Sequence, residues 1–331
     1  MEKSLKDKLL SLDGKGVIIH HWDTDGICST CLLLDLLKDK DLVNHTPTLG
    51  NYYLTDEEMR FYGSFNYVII VDLSLPLDQI LSFAKSSKVY IFDHHIQGRV
   101  DGVNQYNPIV DGGRPEEYPS ASWVVNTHLQ NAVNLYALLG VIGDLEERVN
   151  ANPVFSQLIH MYCSKQKLKF DDLLCMVHLL DSNYKVGDKS AVEKAPSELL
   201  KYKYPSEILA NITWQQNLRR VDREVSRVLL EGVEDDEGVL LKRINSSYNI
   251  ISTVTRRLYA ETGKSIVVVN TGFSNVYDQV YVRSCKVMTP LINKGLSMGF
   301  RAGGKFDVMG AVVPKDKSEL FVKYIIDYLK S

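Results

Sequence analysis

Three short apolar runs end abruptly in acidic and imidazole side chains, and no other feature constrains the fold of this chain as much. Val17-Ile18-Ile19 run into His20-His21-Trp22-Asp23-Thr24-Asp25, Tyr67 to Val71 run into Asp72, and Val89 to Phe92 run into Asp93-His94-His95. Unbroken runs of β-branched and aromatic residues read as strands buried on both faces, the strands of a parallel sheet. Between them, residues 26–38 and 75–87 read as helices, the second with Pro76 in its first turn. This βαβ alternation predicts an α/β fold with helices flanking a parallel sheet. In such sheets ligands bind outside the carboxyl ends of the strands. The polar clusters are therefore expected to converge.

Convergence has an electrostatic cost. The candidate ligands are His21, Asp23, Asp25, Asp72, His94 and Asp144, the last where a helix within residues 134–149 is expected to end. Carboxylates crowded together repel one another and lose solvation, at several kcal/mol by rough estimate. Two divalent cations would balance about four negative charges, and a pair roughly 3.5 to 4 Å apart suits in-line displacement at phosphorus. Mixed oxygen and nitrogen donors favour Mn2+, Co2+, Zn2+ or Fe2+ over Ca2+ or Mg2+ alone. His20 and His21 point to opposite faces of a strand. The spacing to Asp23 favours His21 as the ligand, with His20 a core or edge residue with a backbone partner; His20 is the alternative ligand if the strand ends one residue earlier. Each residue also has a plainer reading: Asp72 as a helix N-cap, adjacent histidines as polar surface. The clusters taken together argue against it.

At 331 residues the chain exceeds one small core and predicts more than one domain. Residues 1–240 hold 24 basic and 35 acidic side chains, whereas 241–331 hold 14 and 6. An acidic first part fits a cation site, and a basic last part fits an anionic ligand. A short strand is expected at 45–49, helices through 153–230, and a polar connection with two prolines at 185–205. A charged turn at 231–238 precedes strands at 239–244, 264–270 and 278–287 and helices at 252–263 and 317–330. The expected domains are 1–185, a helical linker 186–230, and a smaller mixed αβ domain 231–331. Five cysteines are too few, and odd in number, for a disulfide framework. Cys28 and Cys31 share a helix face without a second ligand pair, which reads as core packing. No apolar run reaches the ~18 residues of a membrane span. The first 16 residues read as an amphipathic helix rather than a signal peptide, so no membrane contact and a cytoplasmic location are expected.

DTDG at 23–26, VDLS at 71–74, DHH at 93–95 and GD at 143–144 stand in the order and approximate spacing of the four motifs of the DHH phosphoesterases. The chain resembles that family over nearly its whole length. The family includes RecJ-type single-strand exonucleases, nanoRNases and pAp phosphatases, cyclic-dinucleotide phosphodiesterases and the related family II pyrophosphatases. The HxDxDG form, with His21 two residues before Asp23, is most similar to archaeal RecJ-like members. The resemblance implies one metal held by His21, Asp23 and Asp72 and another by Asp25, Asp72, His94 and Asp144, with Asp72 bridging. It implies two divalent ions, Mn2+ first, with Mg2+ or Co2+ as alternatives. His95 would face the scissile phosphate without binding metal, and Asp93 would support the histidines, as expected of a carboxylate beside a ligating imidazole. His95, Asp72 and Asp93 form the implied catalytic set.

Further on, Val282-Arg283-Ser284 and the stretch 302–310 resemble the substrate-binding elements that follow the DHH domain. Arg283, Ser284, Arg301, Gly303, Gly304 and Lys305 are the implied substrate contacts, with Gly310 on a third glycine position. Glycine backbone approaches a phosphate closely, and arginines fork onto its oxygens. Lys305 stands where the family has histidine, and Ala302 where its loop begins with glycine. Lysine can hold a phosphate but cannot shuttle a proton near neutrality. Ser120 and Ser122 are expected to cap the next helix, or to face a phosphate at its N-terminus.

The function implied is Mn-dependent hydrolysis of single-stranded DNA, RNA or short oligonucleotides from an end, in a cleft between two domains. The alternatives are a small-substrate phosphoesterase acting on a dinucleotide, cyclic dinucleotide, pAp or pyrophosphate, and a non-catalytic scaffold of a replication complex. The implied partners are the nucleic-acid substrate, a second copy in a homodimer, and a replication or repair protein.

Overall fold

The computed structural model describes residues 4–331, and of Lys305 the backbone only. Two compact units result. The first runs to Tyr184 and takes in Asp188–Gln216, and the second holds Lys185–Gly187 and Asn217–Ser331. Among the described residues no helix is long and apolar enough to cross a membrane.

The first unit begins α1 (Leu5–Leu10), β1 (Gly16–His20), α2 (Thr24–Leu36), β2 (Leu42–His45), α3 (Asp56–Tyr62), β3 (Tyr67–Val71), α4 (Leu77–Ala84), β4 (Lys88–Phe92) and β5 (Asn104–Tyr106). Helices follow: α5 (Ala121–His128), α6 (Leu135–Leu145), a 3-10 turn Glu146–Ala151, α7 (Pro153–Gln166), α8 (Phe170–Lys185), α9 (Lys189–Leu199), α10 (Ser206–Leu209) and α11 (Ile212–Leu230). The chain passes into the second unit within α11.

The five strands pair in the order β2-β1-β3-β4-β5, all parallel. Their apolar runs are unbroken because alternate residues bury into different layers. Ile18, Ile69 and Phe92 face Leu9 of α1, Leu33 of α2 and Val125 of α5. Val17, Ile19, Val68, Ile70 and Ile91 face Tyr62 of α3 and Ile80 and Phe83 of α4. Each fully buried aliphatic side chain contributes roughly 1.5–3 kcal/mol to this sandwich. Cys28 and Cys31 are buried free thiols on α2, inside this packing.

Three local readings change. The strand expected at 45–49 is β2, three residues earlier. β5 pairs with β4 but holds only three residues, too short for periodicity to show. The stretch 186–230, expected as a linker, divides between the units, with α9 and α10 in the first. Val192, Ala195, Pro196 and Leu199 form a buried stripe on α9, and its exposed face explains the polar composition.

The second unit continues β6 (Glu234–Asp236), β7 (Val239–Ile244), α12 (Ile251–Thr262), β8 (Ser265–Asn270), β9 (Tyr277–Arg283), α13 (Thr289–Ser297), β10 (Arg301–Lys305), β11 (Val308–Pro314) and α14 (Lys315–Lys330). Its sheet is mixed: β7 and β8 are parallel, and the other pairs in the order β10-β11-β9-β8-β7-β6 are antiparallel. The charged turn of the sequence contains the edge strand β6, whose acidic residues are all exposed. Charged residues suit an unprotected sheet edge.

Candidate metal centre

The in-register ladder brings the motifs together. His20 pairs with Val71 and Val71 with Phe92, so the next residues, His21, Asp72 and Asp93, leave the sheet level with one another. The ladder continues one step through His21 N–H to Val71 O at 3.2 Å and Asp72 N–H to Phe92 O at 2.9 Å. Asp72 takes φ 56°, a left-handed conformation uncommon outside glycine, asparagine and aspartate. It is not a helix cap, since α4 starts behind Pro76 without a side-chain cap.

Among the described residues, three overlapping groups of donor atoms form at this edge, one of them Asp72, Asp93, His94 and His95. His21, Asp23 and Asp72 offer atoms within 4.8 Å of one another, and so do Asp25, His94 and Asp144. His21 Nδ1 lies 2.8 Å from Asp23 Oδ2 and 3.7 Å from Asp72 Oδ2. His94 Nε2 lies 3.1 Å from Asp144 Oδ2, 3.5 Å from Asp72 Oδ1 and 4.0 Å from Asp25 Oδ2. The two Asp72 oxygens thus face different groups.

Asp93 and His95 belong to the third group by distance, but their hydrogen bonds to each other set them apart from the other ligands. Asp93 is fully buried. Its Oδ1 accepts from His94 N at 2.8 Å, His95 N at 3.3 Å and His95 Nδ1 at 2.7 Å, and its Oδ2 accepts from Gln97 Nε2 at 2.8 Å. Little acceptor capacity is left for a cation. Burial would raise the Asp93 pKa, but the neighbouring His95 holds it below the usual carboxylate value. With His95 Nδ1 committed to Asp93, Nε2 is the free end of a ring that is 40% exposed.

His20 is fully buried and already engaged. Its Nδ1 bonds His21 O at 2.7 Å, and Asn44 Nδ2 donates to its Nε2 at 3.2 Å. Burial lowers its pKa to about 4, so it is a neutral structural imidazole.

Several elements fix the acidic turn. Asp23 caps α2 by accepting from Gly26 N at 3.2 Å. A Cβ at Gly26 would collide with the His21 carbonyl, so the turn requires glycine there. Asp25 lies at the N-terminus of α5 and accepts from Ala121 N at 2.6 Å and Ser122 N at 2.9 Å. Ser120 caps α5 through Trp123 N at 3.1 Å. The anion at this helix end is therefore the protein's own Asp25, and Ser120 and Ser122 are fully buried rather than open to a phosphate.

The donor set suits divalent cations. Burial and the adjacent Asp144 raise the Asp25 pKa to about 6, and burial with Asp25 and Asp23 raises that of Asp72 well above the carboxylate range. Burial would lower both histidines, but His94 is raised well above its ordinary value by Asp144 and Asp72, and His21 is raised by Asp23. Every shift expresses one need, positive charge among the carboxylates. His21 Nε2 and His94 Nε2 are moreover buried without an aligned hydrogen bond. His94 Nε2 crowds Asp25, Asp72 and Asp144 in this way, whereas His21 meets Asp23 through its other nitrogen, Nδ1, at 2.8 Å. His21, Asp23 and Asp72 fit one cation, and Asp25, His94, Asp144 and Asp72 a second.

The second unit carries the other expected residues. Arg283 ends β9, with its guanidinium 5.8 Å from the Tyr259 ring and a buried Nε that makes no hydrogen bond. Ser284 is fully buried, its Oγ 2.7 Å from Ser265 Oγ and accepting from Lys286 N at 3.2 Å. That hydroxyl supports the strand end and does not face solvent. Arg301 opens β10 and is exposed. Gly303 pairs with Gly310 across the β10–β11 hairpin. A Cβ at Gly304 would collide with the Val308 carbonyl, a need of the hairpin itself, whereas Gly303 borders open space. The Lys305 side chain lies outside the described residues.

Residues not singled out in the sequence complete the centre. Gly140 of α6 has no room for a Cβ against Asp25 and Ser122. Gln97 fixes Asp93. Tyr52, 61% exposed, lies 5.8 Å from the His21 ring at 23°. A glycine inside the apolar helix run at 135–142 was the one signal in the sequence, and the other two residues carry none.

Residues 15–151 match the family model for the DHH family, N-terminal domain. Among solved structures, RecJ of Thermus thermophilus in complex with Mn2+ is similar with a TM-score of 0.67 and 16% identity, covering 98% of this chain and 53% of that one. This chain therefore spans about half the length of the Thermus protein. An exonuclease RecJ bound to manganese gives a TM-score of 0.66 and 16% identity over 98% of this chain and 92% of that one. The pGpG-specific phosphodiesterase PggH of Vibrio cholerae gives 0.51 and 13%, over 96% and 99%. At these identities the likeness establishes the fold. A search of curated proteins finds no match.

Proposed function

On the premise that residues 15–151 are a DHH-family domain, that of a metal-dependent phosphoester hydrolase, we propose that the chain cleaves phosphodiester bonds of single-stranded nucleic acid or short oligonucleotides from an end, with two Mn2+ ions. One observation carries the reading. Asp72 directs Oδ2 toward His21, at 3.7 Å, and Oδ1 toward His94, at 3.5 Å, the disposition of a carboxylate shared by two cations. When bound, the two ions supply a clamp for phosphate oxygens and activation of water for in-line attack.

The chain's own groups do the remainder. Asp93 accepts from His95 Nδ1, which fixes the ring and presents Nε2 outward. His95 then stabilises charge developing on the non-bridging phosphate oxygens. Gln97 and the backbone N–H groups of His94 and His95 hold Asp93 in turn. Arg283 and Arg301, on the second unit, are read as contacts to phosphates of the strand, with little reading of base identity.

A second reading is a small-substrate phosphodiesterase. The PggH likeness supports it, because that structure is matched over 99% of its length. The deciding experiment is hydrolysis of 5′-labelled strands of ~2 and ~20 nucleotides, as DNA and RNA, by metal-stripped protein with Mn2+ restored and Asp72→Ala as control. Stepwise shortening of the longer strands supports the exonuclease. Cleavage of dinucleotides alone supports the second reading. No cleavage of either overturns the proposal.

A further inference from the structure

The Asp23-Thr24-Asp25 turn delivers one carboxylate to each group of ligands, so their relative placement depends on the residue between them. Thr24 is fully buried and is held by a residue 157 positions away. Asp181 of α8 accepts from Thr24 N at 3.0 Å and Thr24 Oγ1 at 2.7 Å, both through the same oxygen, Oδ1. Thr24 Oγ1 also lies 3.2 Å from Val177 O, one turn earlier on α8. The first N–H of a helix has no partner within the helix, and in a buried turn its loss to an unpaired state is costly. Asp181 is 7% exposed, so the acceptor is withdrawn from solvent as well.

We infer that Asp181 is a positioning residue of the metal centre: it fixes the turn from α8 so that Asp23 and Asp25 stand at the separation two cations require. The inference rests on the two-metal reading. Asp181 belongs to none of the candidate ligand groups, and it acts through the Thr24 backbone and hydroxyl. Because one oxygen takes both bonds, the amide oxygen of asparagine can take them too. The two bonds to Thr24 can thereby be kept while the charge is removed.

The test is calorimetric titration of the metal-stripped 331-residue chain with Mn2+. Asp181→Ala is expected to weaken Mn2+ binding by about 10- to 100-fold, the usual cost of losing a group that orients metal ligands. Asp181→Asn is expected to stay within about threefold of wild type, since the geometry persists while the charge is gone. Hydrolysis lost by Asp181→Ala at limiting Mn2+ should return at saturating Mn2+, which general loosening of the fold would not produce. Wild-type affinity in Asp181→Ala overturns the inference, and so does equal loss in Asp181→Asn, which would assign the effect to charge. If Asp181→Ala does not melt cooperatively, Thr24→Val decides: weakened binding supports the inference, and unchanged affinity overturns it. If the wild-type protein takes up no Mn2+, the two-metal reading fails and carries this inference with it.

Discussion

Gly140 of α6 and Asp25 of α2 touch so closely that a Cβ on the glycine would collide with Asp25 Oδ1. Asp25 cannot retreat, because Ala121 N and Ser122 N hold its carboxylate at 2.6 and 2.9 Å. Gly140→Ala should therefore displace Asp25, a candidate metal ligand. Overpacking is expected to cost about 2–3 kcal/mol, offset by less than about 1 kcal/mol of helix propensity. Gly143→Ala is the comparison, since its Cβ would meet the Thr24 Cβ at 3.2 Å, a milder contact than the approach of a Gly140 Cβ to Asp25. Urea unfolding and Mn2+ titration of both variants check this, and equal behaviour of the two would refute the assignment.

Asp72 combines a shared position with a left-handed backbone, φ 56°. Asparagine tolerates that conformation, so Asp72→Asn should fold normally. It removes the negative charge that both proposed cations would share. Mn2+ stoichiometry should drop below two, and hydrolysis should fall by at least about 10²–10³-fold. Calorimetry and single-turnover cleavage measure the two effects separately. Retention of both ions would show that Asp72 belongs to one group alone.

His95 makes a contrasting prediction. Its Nδ1 is committed to Asp93, 2.7 Å away, and Asp72 Oδ1 is 3.9 Å off. His95→Ala should leave Mn2+ affinity unchanged and lower the cleavage rate by about 10²–10⁴-fold. A loss of metal in this variant would make His95 a ligand instead. Asp93→Asn keeps an acceptor for the ring and should lose less.

The convergence of the candidate ligands at one sheet edge was legible because polar residues end the apolar runs of β1, β3 and β4. Val71-Asp72 and Phe92-Asp93 carry that signal within a few residues. What fixes the edge was not legible. The partners of Asp25 are backbone N–H groups of Ala121 and Ser122, and any residue carries an N–H. Asp181 meets Thr24 across 157 residues, with no local pattern to mark it. The reading of 185–205 as a connection relied on prolines and charge. Yet Pro196 lies inside α9, buried beside Ala195, and its carbonyl lies 3.7 Å from Cys31 Sγ.

The charge on α9 yields the last prediction. Glu193 Oε1 accepts from Thr46 N at 3.2 Å, lies 3.2 Å from His45 Nδ1, and pairs with Lys189 at 3.0 Å. Partial burial would raise its pKa, but these partners prevail and hold it at about 2, below its ordinary 4.5. A depressed folded-state pKa means that the unfolded chain takes up the proton first as the pH falls. The stabilisation is therefore fully present above the unfolded value and is lost as the pH drops from there toward 2. After allowance for solvent screening of a partly exposed group, it amounts to about 1 kcal/mol. Glu193→Gln should be destabilised by that amount at pH ~7 and converge on the wild type by pH ~2 to 3, as linkage requires. Urea unfolding across that range checks it. A difference that stays constant with pH would mean that the side chain contributes through shape and neutral hydrogen bonds, and that its charge does not tie α9 to β2.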